Sequence, residues 1–278
     1  MLSTSITWQI SRGGKKTMSK LVEKLQRISE GSIQPMGFGA AAARAKISPM
    51  LIIASLPLGN AQLANIAEKA GADALLVNVE NLEKENKSLA KMSGSKFNIT
   101  WGVSLKTVSK DEIKHLIELG CDFVVFPPTK TPAAVLTEEK IGKVLEIDTS
   151  MPDSLAKAIN RLQVDAVLIS PEKEGEATLT VHQLMVYERL AGTTGKHLLA
   201  TIASAFSTGD LESLWGLGIQ GVVMDMAVEQ PEQRLSEIKE AIQRLPSRPR
   251  KPREKIRATL PLARTPSEKA ETEEEEEE

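Results

Sequence analysis

The sequence predicts an α/β fold, a closed (β/α)8 barrel forming a single domain, on three observations. From Met50 to Leu245 short apolar runs alternate with amphipathic segments, and eight of the runs read as strands. A helix-end, turn and strand-opening pattern then recurs in KAGADALLV, ELGCDFVVF, RLQVDAVLI and GLGIQGVVM. Aligning Asp73, Asp122, Asp165 and Gln220 gives spacings of 49, 43 and 55 residues, each the length of about two strand-helix units. A doubly wound open sheet is the alternative. The evenness of the repeat and the absence of a G-x-G-x-x-G turn after the first strand favour closure.

In chain order, residues 1–17 are polar and patternless and are expected to form a disordered extension. SKLVEKLQRISEG follows, with Leu21, Leu25 and Ile28 on one helical face, a helix suited to covering the barrel floor. The strands are MLIIASL, ALLVNVE, NITWGVSL, DFVVFPP, KVLEID, DAVLIS, HLLATIA and GVVMDM. AQLANIAEKAG, KDEIKHLIELG, SLAKAINRLQ, VHQLMVYERLAG, GDLESLWGLG and PEQRLSEIKEAIQRL carry helical periodicity, whereas the segments after strands two and four show it weakly. The barrel with its N-terminal helix is thus expected over 18–246. From 247 to 278 six basic residues between Arg248 and Arg257 give way to the acidic run Glu273 to Glu278, the composition of a disordered, solvated tail.

A 278-residue chain that is 41% hydrophobic can bury one barrel-sized core. With 35 basic and 37 acidic side chains it lacks the positive field of a nucleic-acid binder, and the basic stretch carries no interleaved aromatic residue for stacking on bases. Cys121 is the single cysteine, which excludes an internal disulfide and suits a reducing compartment, so the cytoplasm is expected. No apolar run approaches the roughly 20 residues of a membrane helix, and no signal-peptide core opens the chain. The expected partner is a small-molecule ligand, and nothing in the pattern encodes an oligomeric state.

Active sites in such barrels lie at the carboxyl ends of the strands, where alternation separates inward from helix-facing side chains. In ITWGVSLK the apolar positions take the helix side, which turns Thr100, Gly102, Ser104 and Lys106 inward. The same alternation places Leu76, Asn78 and Glu80 inside, and Glu146 and Asp148 inside with Leu145 and Ile147 outside. Either parity suits GVVMDM, with Asp225 inward if Gly221 and Val223 are. Lys106, Glu146 and Asp148 are therefore candidate catalytic residues. Asn78, Glu80, Ser204, Ser207 and Thr208 are candidate substrate-binding residues, and Asp225 is a candidate metal ligand.

Carboxylates converging with a lysine can hold a divalent metal or divide acid and base roles. The bland alternative is that Lys106 neutralises Asp148 or Glu146 across the barrel without chemistry. Lys130 and Lys173 read as solvated loop residues on the same face. His115 falls within a helix, His197 opens strand seven at the opposite end, and only His182 stands near the mouth, which argues against a three-histidine zinc site. Cys121, at the start of strand four, reads as a core thiol. The polar segment from Pro171 to Thr180 has the length of a lid or an ordinary loop.

At strands seven and eight, in TIASAFSTGDLESL and GLGIQGVVMDM, and in the openings AGADALLV and LGCDFVVF, the chain resembles the aldolase-type and ribulose-phosphate-binding TIM barrel enzymes. These include thiamine phosphate synthases, phosphoribosyl isomerases and, more distantly, FMN-linked nitronate monooxygenases. The resemblance covers about 50–245 and is one of superfamily. It implies lyase, aldolase or isomerase-type acid-base chemistry on a small polar or anionic metabolite. The alternatives are FMN-dependent oxidation, or a non-catalytic barrel that has lost its phosphate site and binds a ligand.

In that superfamily backbone N–H groups of a Gly-Gly turn after strand seven and a glycine after strand eight grip a phosphate. Here Ser207, Thr208 and Asp210 keep the helix start, but Ala205 and Phe206 replace the glycine pair and Asp225 stands near the later glycine. A carboxylate 4 Å from a phosphate repels it by roughly 4 kcal/mol per unit charge at an effective dielectric near 20. The usual grip is therefore expected to be broken, which also weakens the FMN reading, and whether the mouth is catalytic stays open.

Overall fold

The computed structural model describes residues 19–30, 48–94, 98–171, 179–203 and 206–246. Eight parallel strands close into a barrel in sequence order. They are β1 (Leu51–Pro57), β2 (Ala74–Val79), β3 (Thr100–Leu105), β4 (Phe123–Phe126), β5 (Gly142–Asp148), β6 (Ala166–Ser170), β7 (His197–Ile202) and β8 (Gly221–Asp225). Pairing of Leu51 with Gly221 and of Ser55 with Asp225 joins β8 back to β1. All eight strands read from the sequence are present, each within a few residues of its expected bounds.

The fourfold repeat has a physical cause. The N–H groups of Asp73, Asp122, Asp165 and Gln220 donate to the carbonyls of Ile52, Trp101, Lys143 and Leu198, each on the preceding odd-numbered strand. Asp73 and Asp165 return the bond through their carboxylates, accepting from the N–H of Ile52 at 2.9 Å and of Lys143 at 2.8 Å. One side chain thus fixes the register of two strands just where each even strand begins.

The other two repeat positions hold α1 (Lys20–Glu30) on the floor. Asp122 accepts from Ser19 Oγ at 2.6 Å and from the N–H groups of Lys20 and Leu21 at 2.8 and 3.0 Å, capping the helix start. Gln220 donates to Ser29 Oγ at 2.7 Å, near the helix end. Between these anchors Leu21, Leu25 and Ile28 join Leu51, Ile53, Leu76, Phe123, Leu168 and Val223 in one apolar cluster inside the barrel. The helix expected to cover the floor therefore plugs it. Gly102 makes room for this core, since a Cβ there would stand 2.5 Å from the Phe123 ring.

The outer faces of the strands pack under α2 (Ala61–Ala70), α3 (Leu82–Ser93), α4 (Lys110–Glu118), α5 (Asp153–Ala158), α6 (Val181–Thr193), α7 (Thr208–Gly216) and α8 (Pro231–Arg244). Local sequence starts most of them: Ser109 with Glu112, Thr180 with Gln183 and Ser207 with Asp210 form reciprocal capping boxes. Of the two weakly periodic segments, the one after β2 is a full helix, α3. After β4 there is only a 3-10 turn, Ala133–Thr137, because Pro127, Pro128 and Pro132 deny the backbone its helical donors.

A lysine supports that turn in place of a helix. Lys143, 5% exposed on the outer face of β5, donates from Nζ to the carbonyls of Leu136 at 3.0 Å and Glu138 at 2.6 Å. The helix read over 154–163 is shorter than its pattern, ending at Ala158 and tightening to a 3-10 turn. Beyond it Asn160 turns to the loop after α6, bonding Thr193 O and Gly195 N. No helix of the described residues is long and apolar enough to cross a membrane. The expected N-terminal extension and charged tail lie outside the described residues.

Candidate site at the barrel mouth

Parity places the expected mouth residues as the sequence reading has them. Leu76, Val144, Leu168 and Val223 belong to the interior cluster, so Asn78, Glu146, Ser170 and Asp225, each two residues further on, point the same way at the carboxyl ends of their strands. The ambiguity at β8 is resolved, because Val223 lies inside and Asp225 follows it inward.

Three adjacent strands build the most connected group. Ser170 Oγ on β6 donates to Glu146 Oε1 on β5 at 2.8 Å and lies 3.3 Å from Thr201 Oγ1 on β7. Glu146, Ser170 and Thr201 are each partly buried. On the opposite side of the mouth Asn78 Nδ2 donates to the buried Ser55 Oγ at 2.9 Å.

Lys106 does not reach across the barrel. Its Nζ pairs with Glu80 Oε1 on the neighbouring strand at 3.1 Å, with the two side chains 73% and 79% exposed. The alternative in which Lys106 neutralises Asp148 or Glu146 is thereby corrected: strands β2 and β3 are hydrogen-bonded neighbours, so Glu80 lies nearest. Asp148 turns to its own loop, accepting from the N–H and Oγ of Ser150 at 2.9 and 2.5 Å. Asp225 does likewise, its Oδ1 accepting from Ala227 N at 2.9 Å. Each carboxylate caps the turn that its own strand enters, and no three His, Cys, Asp or Glu side chains among the described residues gather as a metal would need. Glu146, Asp148 and the candidate metal ligand Asp225 thus stand apart, Glu146 engaged by the neighbouring strand and the two aspartates by their own loops.

Of the residues expected at the β7 turn, Ser204 lies outside the described residues, as do Ala205 and Lys173. Ser207 and Thr208 are exposed at the start of α7, and the Ser207 hydroxyl is engaged by Asp210 N at 3.2 Å. Ser207 also borders a cavity of about 510 Å³ shared with Phe206, Glu229, Gln230 and Arg234. Arg234 bridges this region, donating from Nη2 to Phe206 O and from Nη1 to Glu237 at 3.0 Å. That hydrogen bond, with one from Gln233, holds the Glu237 carboxyl below its ordinary range.

The histidines and the cysteine fall where the sequence placed them. His115 on α4 bonds Asn86 Oδ1 at 2.6 Å, and His182 is exposed at the start of α6. His197 sits on the floor within reach of Gln220 and Ser29 at 2.8 and 3.1 Å. Cys121 is buried, its thiol pushed up strongly by desolvation while it donates to Phe123 O. The expected lid segment lies largely outside the described residues.

Ser55, Ser170, Thr201 and Arg234 are mouth residues that the sequence reading missed. Alternation along LIIASLP, AVLIS and HLLATI marks the first three as inward. Arg234 carries no such signal, since its partner Phe206 is 28 positions away.

Neither a protein-family model nor a curated protein matches the chain. Among solved structures, phosphoribosyl anthranilate isomerase from Thermus thermophilus is similar, with a TM-score of 0.54 at 12% identity over 69% of this chain and 98% of that one. A tryptophan synthase α-subunit mutant from Pyrococcus furiosus gives a TM-score of 0.51 at 13% identity, over 69% of this chain and 96% of that one. Tryptophan synthase from M. tuberculosis gives 0.53 at 12%, covering 70% and 93%. At these identities the likeness is one of fold, and it agrees with the closed eight-stranded barrel read from the sequence.

Proposed function

We propose that the mouth is an active site in which Glu146 moves a proton on a small polar metabolite, in chemistry of the lyase, aldolase or isomerase kind. The observation that carries this reading is the Glu146–Ser170–Thr201 group. A partly buried carboxylate has one oxygen fixed by a hydroxyl, and its second oxygen has no hydrogen-bond donor among the described residues. A carboxylate so oriented is positioned as a general base or acid. Thr201 adds a hydroxyl that can bind a substrate oxygen. Lys106 and Asn78 stand across the mouth as electrostatic and binding groups. The names of the similar barrels, an isomerase and a synthase, agree with this class.

Charge narrows the substrate. Among the described residues at the inward strand ends, Glu80, Glu146, Asp148 and Asp225 accompany one cation, Lys106, with Arg234 reaching in from α8, and this acidic balance favours a neutral or cationic metabolite over a phosphorylated one.

The test is incubation of a fractionated metabolite extract with the protein, followed by mass spectrometry. A metabolite consumed by wild type should turn over about 10²–10⁴-fold more slowly with Glu146→Gln, the range a general acid or base supplies, and more slowly with Lys106→Met. Equal turnover in Glu146→Gln removes the assignment.

A second reading rests on the pairing itself. Asn78 with Ser55, Lys106 with Glu80, Asp148 with Ser150 and Asp225 with Ala227 are already satisfied within the chain. That is the pattern of a barrel that binds without turnover. An extract left unchanged by wild type, with a small molecule retained in native mass spectrometry, supports this reading instead.

A further inference from the structure

At the other end of the barrel a cavity of about 360 Å³ opens between β1, the end of α2 and α8. Pro49, Ile52 and Ile242 form its apolar wall, while Asp73 and Lys239 bring opposite charges to it. The lysine head lies over Gly71, where a Cβ would stand 1.7 Å from Nζ and where φ is +89°. Glycine is required at that position by the left-handed turn that ends α2, and its missing side chain leaves the space in which the lysine head rests.

The two charges face the same space without meeting. No ion pair within 4.0 Å joins them, and among the described residues the Lys239 ammonium has neither a hydrogen-bond nor an ion-pair partner. Asp73 Oδ2 accepts from Ile52 N at 2.9 Å, and Oδ1 has no donor among the described residues. Part-buried charges left in this way cost free energy until water or a ligand completes them.

Ligand classes can be separated by what each leaves unmatched. A simple carboxylate would satisfy Lys239 but set a like charge against Asp73. An amine would do the reverse, and an apolar molecule would satisfy neither. We propose that this cavity binds a zwitterion with an apolar side chain, a free α-amino acid of the leucine class. Its carboxylate meets Lys239, its ammonium meets Asp73 and its side chain lies against Pro49, Ile52 and Ile242. The volume falls at the lower end of small-molecule sites, which span about 300–1,000 Å³. Burial raises the Asp73 carboxyl above its ordinary value, against the pull of the Ile52 N–H and of the Lys24 and Lys239 ammoniums, Lys24 donating to Asp73 O at 2.6 Å; a ligand ammonium would offset what remains of that desolvation cost. The site is separate from the mouth and independent of the chemistry there.

Calorimetric titration of the full chain tests it with three probes: L-leucine, 4-methylpentanoate, which lacks the ammonium, and isopentylamine, which lacks the carboxylate. L-leucine should bind, and each fragment should bind at least about tenfold more weakly, the loss expected for one charge-assisted hydrogen bond. Lys239→Met and Asp73→Asn, checked for folding by circular dichroism, should each weaken L-leucine by a similar factor. If Asp73→Asn fails to fold, Lys239→Met alone decides. The proposal is overturned by absence of binding at millimolar L-leucine, by equal affinity for 4-methylpentanoate or isopentylamine, or by an affinity that Lys239→Met leaves unchanged.

Discussion

The floor and the mouth of this barrel share the same eight strands and the same alternation, yet they spend their polar side chains differently. On the floor Asp73, Asp122 and Asp165 bond to backbone N–H groups of neighbouring strands or of α1, so removing a side chain strands a buried donor. At the mouth Asn78, Lys106 and Ser170 bond to other side chains, and Asp148 and Asp225 to their own loops. Floor chemistry is largely consumed in closing the barrel, Asp73 Oδ1 and Lys239 excepted, whereas mouth chemistry joins side chains to one another or to their own loops. This matches the general division of such barrels between a stability face and a functional face.

The sharpest break in the comparison comes from the floor plug. Leu25 is 0% exposed inside the barrel cluster, so Leu25→Ala should destabilise by about 2–5 kcal/mol. Denaturant unfolding measures this, and a loss under about 1 kcal/mol would show that α1 is a dispensable cover.

A smaller effect, specific to the floor, is pH dependence. Burial holds His197 below its ordinary value of 6.5, against the opposing pull of Gln220 and Asp165, with Lys196 reinforcing the depression. The folded protein therefore binds fewer protons at this ring than the unfolded chain does. Stability from this site is present above about pH 6.5 and falls away below it. His197→Asn should flatten the decline that sets in below about pH 6.5 in unfolding experiments run across that pH. Asp73, raised by burial, acts in the opposite sense, because its protonated form is favoured in the fold and its penalty shrinks as the pH falls through its raised value.

The least costly change is expected at the mouth. Lys106 and Glu80 form an exposed pair, so Lys106→Met should alter stability by no more than about 1 kcal/mol. A larger loss would move this pair from the functional face to the structural one.

The strand-helix rhythm, the repeat at Asp73, Asp122, Asp165 and Gln220, and the amphipathic face of Leu21, Leu25 and Ile28 were legible because each is a periodic pattern set by local geometry. Inward parity at Asn78, Lys106 and Glu146 was legible for the same reason. The missing helix after β4 was half legible, since its prolines forbid a helix, but Lys143 holding the 3-10 turn was not. Which mouth charges meet was not legible either. Lys106 could face any inward carboxylate by parity, and strand adjacency gave it Glu80.

Sequence alone thus determined the number and order of the elements and which side of each strand is wet, because backbone periodicity is written in consecutive residues. Tertiary structure alone decided that Glu146, Ser170 and Thr201 form one group, that Arg234 reaches Phe206, and that Lys239 and Asp73 share a cavity. These pairs join residues separated along the chain by whole strand-helix units. Their geometry is fixed only when the barrel closes and sets the register between strands.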